Sequence, residues 1–225
     1  MGRRPCATTL QPEMSGGELS ALANWIGGIG CKGKYLEIGT AAGGTLSFMM
    51  NCFDANARPR FVVVDTMAYF DNQFDTIKSN LTMNGLDAAS VDFRVMSSAE
   101  AFRKAEVRDE QFKFILVDAS HKIRQVMADL RWLKLLEVGG VACFHDYALK
   151  FKGVRWPVDR FLKHNPQFVR VGLSGSLLCV KRVAKSVKTE VTATDRIWAI
   201  FCAPFLQWEL SLRKRFPPKE QLGLI

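Results

Sequence analysis

Two of the three histidines stand close to aspartates, each at the end of an apolar run: Phe114-Ile-Leu-Val-Asp118-Ala-Ser-His121 and Val141-Ala-Cys-Phe-His145-Asp146-Tyr147. A lone Asp after a strand is often only a cap, and a lone His is often a hydrogen-bonded core residue. Four such groups together say more. If the two runs are adjacent parallel strands, Asp118, His121, His145 and Asp146 share one crevice beyond the strand ends. Two carboxylates meeting there repel each other unless a cation, a proton or an imidazole compensates. Neutral imidazole accepts a proton near physiological pH, so such a cluster can activate a hydroxyl. His121, His145 and Asp146 are therefore the candidate catalytic residues, with His121 the candidate base.

A second group precedes them in the chain, Glu37-Ile-Gly39-Thr40-Ala41-Ala-Gly43-Gly44. A sharp turn after a buried strand needs residues without bulk, so that the backbone can approach a ligand and lead into a helix with free amides. Glycines alone would be weak evidence, since such a turn can bind nothing. The order here is E-x-G-x-A-x-G and not the G-x-G-x-x-G of nicotinamide dehydrogenases. Asp65 closes the next strand-like run, where a carboxylate can accept hydrogen bonds from ribose hydroxyls. A helix-capping role is the alternative for that residue.

The elements that would position these groups alternate along the chain. Strand-like runs are predicted at 34–38, 60–65, 91–96, 113–118 and 141–145, with helical patterns near 44–53, 70–83, 99–107 and 123–136. Such alternation implies right-handed crossovers and a mostly parallel sheet covered on both faces. Phe61–Val64 and Phe114–Val117 are continuously apolar, as strands buried on both faces should be. After a helix near 158–164, strands at 168–171 and 177–180 are separated by a loop too short for a helical crossover, so they form an antiparallel hairpin. The expected fold is an α/β, Rossmann-like sheet of seven strands ending in that hairpin. Residues 1–30 are expected to be an extension with a helix over 15–29, behind a loosely held segment 1–14. Residues 31–183 form the cofactor-binding catalytic domain, and 184–225 a basic, partly apolar C-terminal extension.

From Lys34 to Val183 the sequence resembles the class I S-adenosylmethionine-dependent methyltransferases, final hairpin included. Glu37, Gly39 and Gly43 match that family's first motif, with Ala41 in place of its middle glycine. The resemblance implies S-adenosylmethionine as cofactor, held by Glu37, Gly39, Thr40, Ala41, Gly43, Asp65, Thr66, Ser98 and Asp118. Asp65 would take the ribose, Thr66 or Met67 and the Ser97–Glu100 segment the adenine, and Asp118 the methionine end. The phrase D-x-S-H followed by G-G-V-x-x-F-H-D-Y resembles a branch of small-molecule O-methyltransferases, many acting on sugars or other natural-product hydroxyls. In the metal-dependent relatives the positions of Asp118, His145 and Asp146 hold a divalent cation. His145 stands where a carboxylate is usual, which weakens the case for magnesium and leaves manganese or no metal.

Composition agrees with a globular enzyme. Of 225 residues, 48% are apolar and 24% charged, with no apolar run near the ~20 residues of a membrane span. Six scattered cysteines form no C-x-x-C pair, which argues against zinc and against a disulfide framework. The start of the chain lacks the apolar stretch of a signal peptide, so a reducing cytoplasm is the expected location. The net charge of +9 admits an anionic acceptor, and nucleic acid is not an expected partner. Over half of that surplus lies from Lys181 onward, where nine Lys/Arg face four Asp/Glu. There Ile197-Trp-Ala-Ile-Phe-Cys-Ala-Pro-Phe-Leu-Gln-Trp208 precedes Arg213-Lys-Arg215, and Pro204 is expected to break a continuous helix. Such a segment suits a lid, a homodimer contact or a peripheral membrane contact. The rival readings are a nicotinamide-dependent reductase on a similar sheet and a non-catalytic, membrane-associated scaffold.

Overall fold

The computed structural model describes residues 12–148, 151–185 and 190–215. Most of the expected loose N-terminal segment lies outside those residues.

Five parallel strands form the frame: β1 (Lys34–Ile38), β2 (Arg60–Asp65), β3 (Asp92–Val95), β4 (Phe112–Val117) and β5 (Leu136–Phe144). Between them run α2 (Gly44–Asn51), α3 (Gln73–Met83), α4 (Ser98–Val107) and α5 (Ile123–Asp129), while α1 (Gly16–Ile29) precedes the sheet. Then come α6 (Lys152–His164), the hairpin β6 (Phe168–Ser174) and β7 (Leu177–Arg182), and α7 (Ala193–Arg215). The sheet order is β3-β2-β1-β4-β5-β7-β6, with β7 antiparallel to both β5 and β6. This is the expected seven-stranded sheet with its terminal hairpin. Because the chain leaves β1 first toward β2 and later returns to its other side as β4, the order reverses at β1. Ligands of open α/β sheets bind at such a switch point.

Phe61–Val64 and Phe114–Val117 are buried throughout, for the reason their composition implied: helices cover both faces. Leu36, Val62, Ile115 and Phe144 point to one layer, where Phe102 of α4, Val126 of α5, Phe161 of α6 and Leu206 of α7 meet them around Trp132. Tyr35, Phe61, Val63 and Phe114 point the other way, onto Leu22 and Ile26 of α1, Met49 of α2 and Ile77 of α3.

Four elements depart from expectation. The helix over 123–136 ends at Asp129 and tightens into a 3₁₀ segment, Leu130–Leu135, whose Leu130, Trp132, Leu133 and Leu135 are all buried. Strand β5 then starts at Leu136, earlier than expected. Helix α6 begins at Lys152 and carries Pro157 inside it. Pro204 does not break α7, which runs from Ala193 to Arg215. Proline deprives one carbonyl a turn earlier of its partner. Here Pro204 and Ile200 both lie on the exposed side of the helix, so water can satisfy the freed Ile200 carbonyl.

Candidate active site

The turn after β1 is built for close approach. Gly39 has φ +81°, and a Cβ there would lie 2.2 Å from the Asp118 carbonyl oxygen. Any side chain would push β1 and β4 apart at the strand ends where the site lies. Ala41 adopts φ +43°, so the residue replacing the family's glycine keeps a glycine-like backbone at some cost in strain. Helix α3 holds this turn from outside: Gln73 Nε2 donates to the Ala41 carbonyl and Asn80 Nδ2 to that of Ala42, each at 2.9 Å. Gly43 caps α2 in the left-handed conformation.

Asp65 ties two loops together. Its Oδ2 accepts from Thr40 N at 3.0 Å and its Oδ1 from Met67 N at 2.7 Å. Glu37 is 1% exposed beneath the turn. Burial pushes its carboxyl up to about 8; the nearby Thr40 side chain pulls it down, and the charges of Asp118 and Asp65 add to the rise. Glu37 Oε2 has no hydrogen-bond partner among the described residues. A buried carboxyl oxygen without a donor beside a glycine cradle suits an ammonium group, such as the one at the amino-acid end of S-adenosylmethionine.

Next to the turn opens a cleft of about 890 Å³ lined by Gly39, Ala41, Asp65, Thr66, Ser98, Asp118, His121 and Asp146 among others. Glu37 and Thr40 instead line a smaller cavity of about 90 Å³ that Gly39, Ala41 and Asp118 share. At the far wall of the cleft, Ser98 accepts from Trp132 Nε1 at 2.9 Å. Asp129, also on that wall, is 4% exposed. Burial pushes its carboxyl up to about 7, against the lowering effect of the Ser98 hydroxyl. Nothing in the sequence singled out Asp129, which sits at the end of an amphipathic helix and reads there as a surface residue.

The four-residue cluster does assemble, with crossed pairing. His121 Nε2 lies 2.7 Å from Asp146 Oδ2, while His145 Nδ1 lies 3.0 Å from Asp118 Oδ1 and 3.6 Å from Asp146 Oδ2. His121 is half-exposed at the cleft, and its pKa is raised, first by the Asp146 hydrogen bond. His145 is nearly buried behind the carboxylates. Burial lowers its pKa, but the Asp118 hydrogen bond and the charges of Asp118, Asp146 and Glu18 outweigh that and leave it raised. Ligand atoms of Asp118, His145 and Asp146 all lie within 4.8 Å of one another.

Four supports hold this cluster in place. His145 N extends the ladder by donating to Val117 O at 3.1 Å, and Asp146 turns the chain with φ +56°. Tyr147 anchors that turn, donating from N to Ser176 O at 2.8 Å and from Oη to Asp159 at 2.5 Å. Gly153 lets α6 pack against the Asp118–His121 loop, for a Cβ there would sit 2.0 Å from the His121 carbonyl oxygen. Phe151 then lies against the His121 ring, with centroids 4.8 Å apart.

The last support is Glu18, from α1, whose Oε2 stands 3.9 Å from His145 Nε2. Its Oε2 accepts from Ser15 N and Oγ, and its Oε1 from Ser176 N and Oγ, all between 2.7 and 2.8 Å. Burial raises its carboxyl, but these hydrogen bonds prevail and hold it at about 2. In sequence it reads only as the Glu of an S-x-x-E capping box, which it also is.

Comparison with known proteins agrees with this geometry. Residues 36–147 match a family model described as a methyltransferase domain. No curated protein sequence matches the chain. Among solved structures, an O-methyltransferase from Bacillus cereus in complex with S-adenosylhomocysteine is 18% identical with TM-score 0.62, covering 76% of this chain and 83% of that one. The O-methyltransferase TomG from Streptomyces achromogenes, involved in tomaymycin synthesis and solved with S-adenosylmethionine, is 15% identical with TM-score 0.59, covering 76% and 82%. CalS11, a TDP-rhamnose 3'-O-methyltransferase of calicheamicin biosynthesis, is 14% identical with TM-score 0.55, covering 72% and 76%. Sheet order, cofactor turn and family match converge: residues 36–147 belong to a methyltransferase domain family, and the chain has the Rossmann-like methyltransferase fold.

Proposed function

We propose that this enzyme methylates a hydroxyl of a small molecule of the sugar or natural-product type. The observation that carries the proposal is the His121–Asp146 pair at the mouth of the cofactor cleft, 2.7 Å apart and adjoining Asp118. When bound, the cofactor supplies an electrophilic methyl on a sulfonium, which an acceptor oxygen takes in line as the carbon–sulfur bond breaks. The chain must orient that oxygen and take its proton.

His121 serves as the base. Asp146 accepts from Nε2–H, which leaves Nδ1 as the basic nitrogen and stabilises the imidazolium once the hydroxyl proton has arrived. His145 acts as a positioning residue: wedged between Asp118 and Asp146, its imidazolium offsets two carboxylates that would otherwise repel. Asp65 binds the ribose with the acceptor capacity left over from its two amide contacts. Thr66 and Ser98 flank the adenine, and Glu37 with the Gly39–Gly43 turn receives the methionine end. Asp129 joins the adenine wall beside Ser98, where a buried carboxyl can accept from an exocyclic amine.

With His145 neutral, the cluster instead fits a divalent cation, whose charge would replace that of the imidazolium. Asp118, His145 and Asp146 would hold it, and it would supply Lewis acidity that lowers the acceptor hydroxyl's pKa. One nitrogen and two oxygens suit manganese better than magnesium. Lys122, exposed at the cleft mouth, favours an acceptor carrying negative charge.

The test is incubation of the purified chain with S-adenosylmethionine and pooled acceptors, with and without added manganese. A product heavier by one CH₂ group, formed together with S-adenosylhomocysteine, is the expected result. Binding of a nicotinamide cofactor in place of S-adenosylhomocysteine would overturn it.

A further inference from the structure

Helix α7 has two apolar faces, and the fold uses one. Trp198, Ala199, Cys202, Ala203 and Leu206 pack inward on the helical layer of α5 and α6. On the opposite side Ile197, Ile200, Phe201, Phe205 and Trp208 are exposed, Phe201 to 78% and Trp208 to 61%. Helical spacing gathers these five, with Pro204, into an arc of about 140° extending roughly 16 Å along the axis. Exposed apolar residues scattered singly mean little, but a continuous aromatic stripe on one helix marks a contact surface.

Charge decides what covers it. The stripe continues into α6, where Trp156 stacks on Phe205 with centroids 6.4 Å apart, and Lys152 Nζ lies 5.7 Å from the Trp156 ring. Along the chain the stripe is followed by Arg213, Lys214, Arg215 and Lys219, within a protein of net charge +9. A second copy of this chain, itself of net charge +9, offers no charge complementarity to these cations. An anionic lipid surface complements it, and a helix with aromatic residues on one side and cations beside them lies naturally in the headgroup region. Among the described residues no helix is long and apolar enough to cross a membrane, so the contact would be peripheral.

We infer that the outer face of α7 docks this enzyme on anionic membrane surfaces. The inference stands apart from the assignment of the acceptor, because none of its residues lines the cofactor cleft.

The experiment is cosedimentation of the full chain with vesicles of phosphatidylcholine alone and of phosphatidylcholine mixed with phosphatidylserine, at low and high salt. The variant is Ile200→Ser/Phe201→Ser/Trp208→Ser, whose sites are all exposed, so its melting temperature and S-adenosylhomocysteine affinity should match the parent. The parent should pellet with the phosphatidylserine vesicles, less at high salt, and the variant should partition at least about tenfold more weakly. Failure of the parent to bind phosphatidylserine vesicles at low salt would overturn the inference, as would equal binding by the variant. A stable dimer that the triple substitution dissociates would show instead that the face pairs two copies.

Discussion

Replacing Glu18 by Gln should uncouple α1 from the loop that carries Ser176 and, through it, from the turn that presents Asp146. The carboxylate accepts four hydrogen bonds from two serines far apart in sequence, and its side chain is only 7% exposed. A carboxyl held at about 2 against an ordinary 4.5 corresponds to roughly 3 kcal/mol of stability at neutral pH, and to about 2–3 kcal/mol after residual screening. Gln keeps the shape and one acceptor but loses the charge and two of the four contacts. The sign follows from the depressed folded-state value: the contribution is complete above the unfolded value and is lost as pH falls from about 4.5 through about 2. Urea unfolding of both proteins at a series of pH values reads this out. The parent should exceed Glu18→Gln by about 2–3 kcal/mol at pH ~7, and the two curves should converge near pH ~2. Two parallel stability curves would refute the reasoning, because the variant would then have removed something other than an ionised, hydrogen-bonded carboxylate.

Other expectations concern the site directly. Asp65→Ala should weaken S-adenosylhomocysteine binding by about 1.5–3 kcal/mol, roughly tenfold to 150-fold by calorimetry; unchanged affinity in a folded variant would exclude the ribose assignment. His121→Ala should lower turnover by about 10²–10⁴ while cofactor affinity stays near the parent's. Because Asp146 raises the His121 pKa, parent turnover should climb with pH through a limb above the ordinary imidazole range, and that limb should vanish in His121→Ala. Exhaustive chelation followed by manganese titration separates the two routes: loss and recovery of activity would assign a cation to Asp118, His145 and Asp146, and full activity after chelation would remove the metal but leave the His121 base standing.

Much of this protein could be read from local signals. Buried parallel strands must be continuously apolar, so Phe61–Val64 and Phe114–Val117 announced a two-sided sheet. A loop of a few residues cannot hold a crossover helix, so the last two strands had to be antiparallel. The turn from Glu37 to Gly44 announced a ligand because small residues cluster there at the end of a strand. Strand adjacency then carried Asp118, His121, His145 and Asp146 to one edge. Each of these inferences depends on residues near in sequence, or on the rule that neighbouring parallel strands end together.

Only the tertiary structure decided how those groups pair. His121 reaches Asp146 and His145 reaches Asp118, a crossing set by which side of the sheet each loop leaves and by Gly153, whose missing side chain lets α6 press on the His121 loop. Glu18, Gln73, Asn80 and Asp129 were invisible as site residues because their partners are distant in sequence, and nothing in a helix pattern says which polar residue faces a turn on another element. The same holds for Pro204. Its cost depends on whether the carbonyl it strands is buried or wet, and that is settled by how α7 docks on the helices of the layer beneath it.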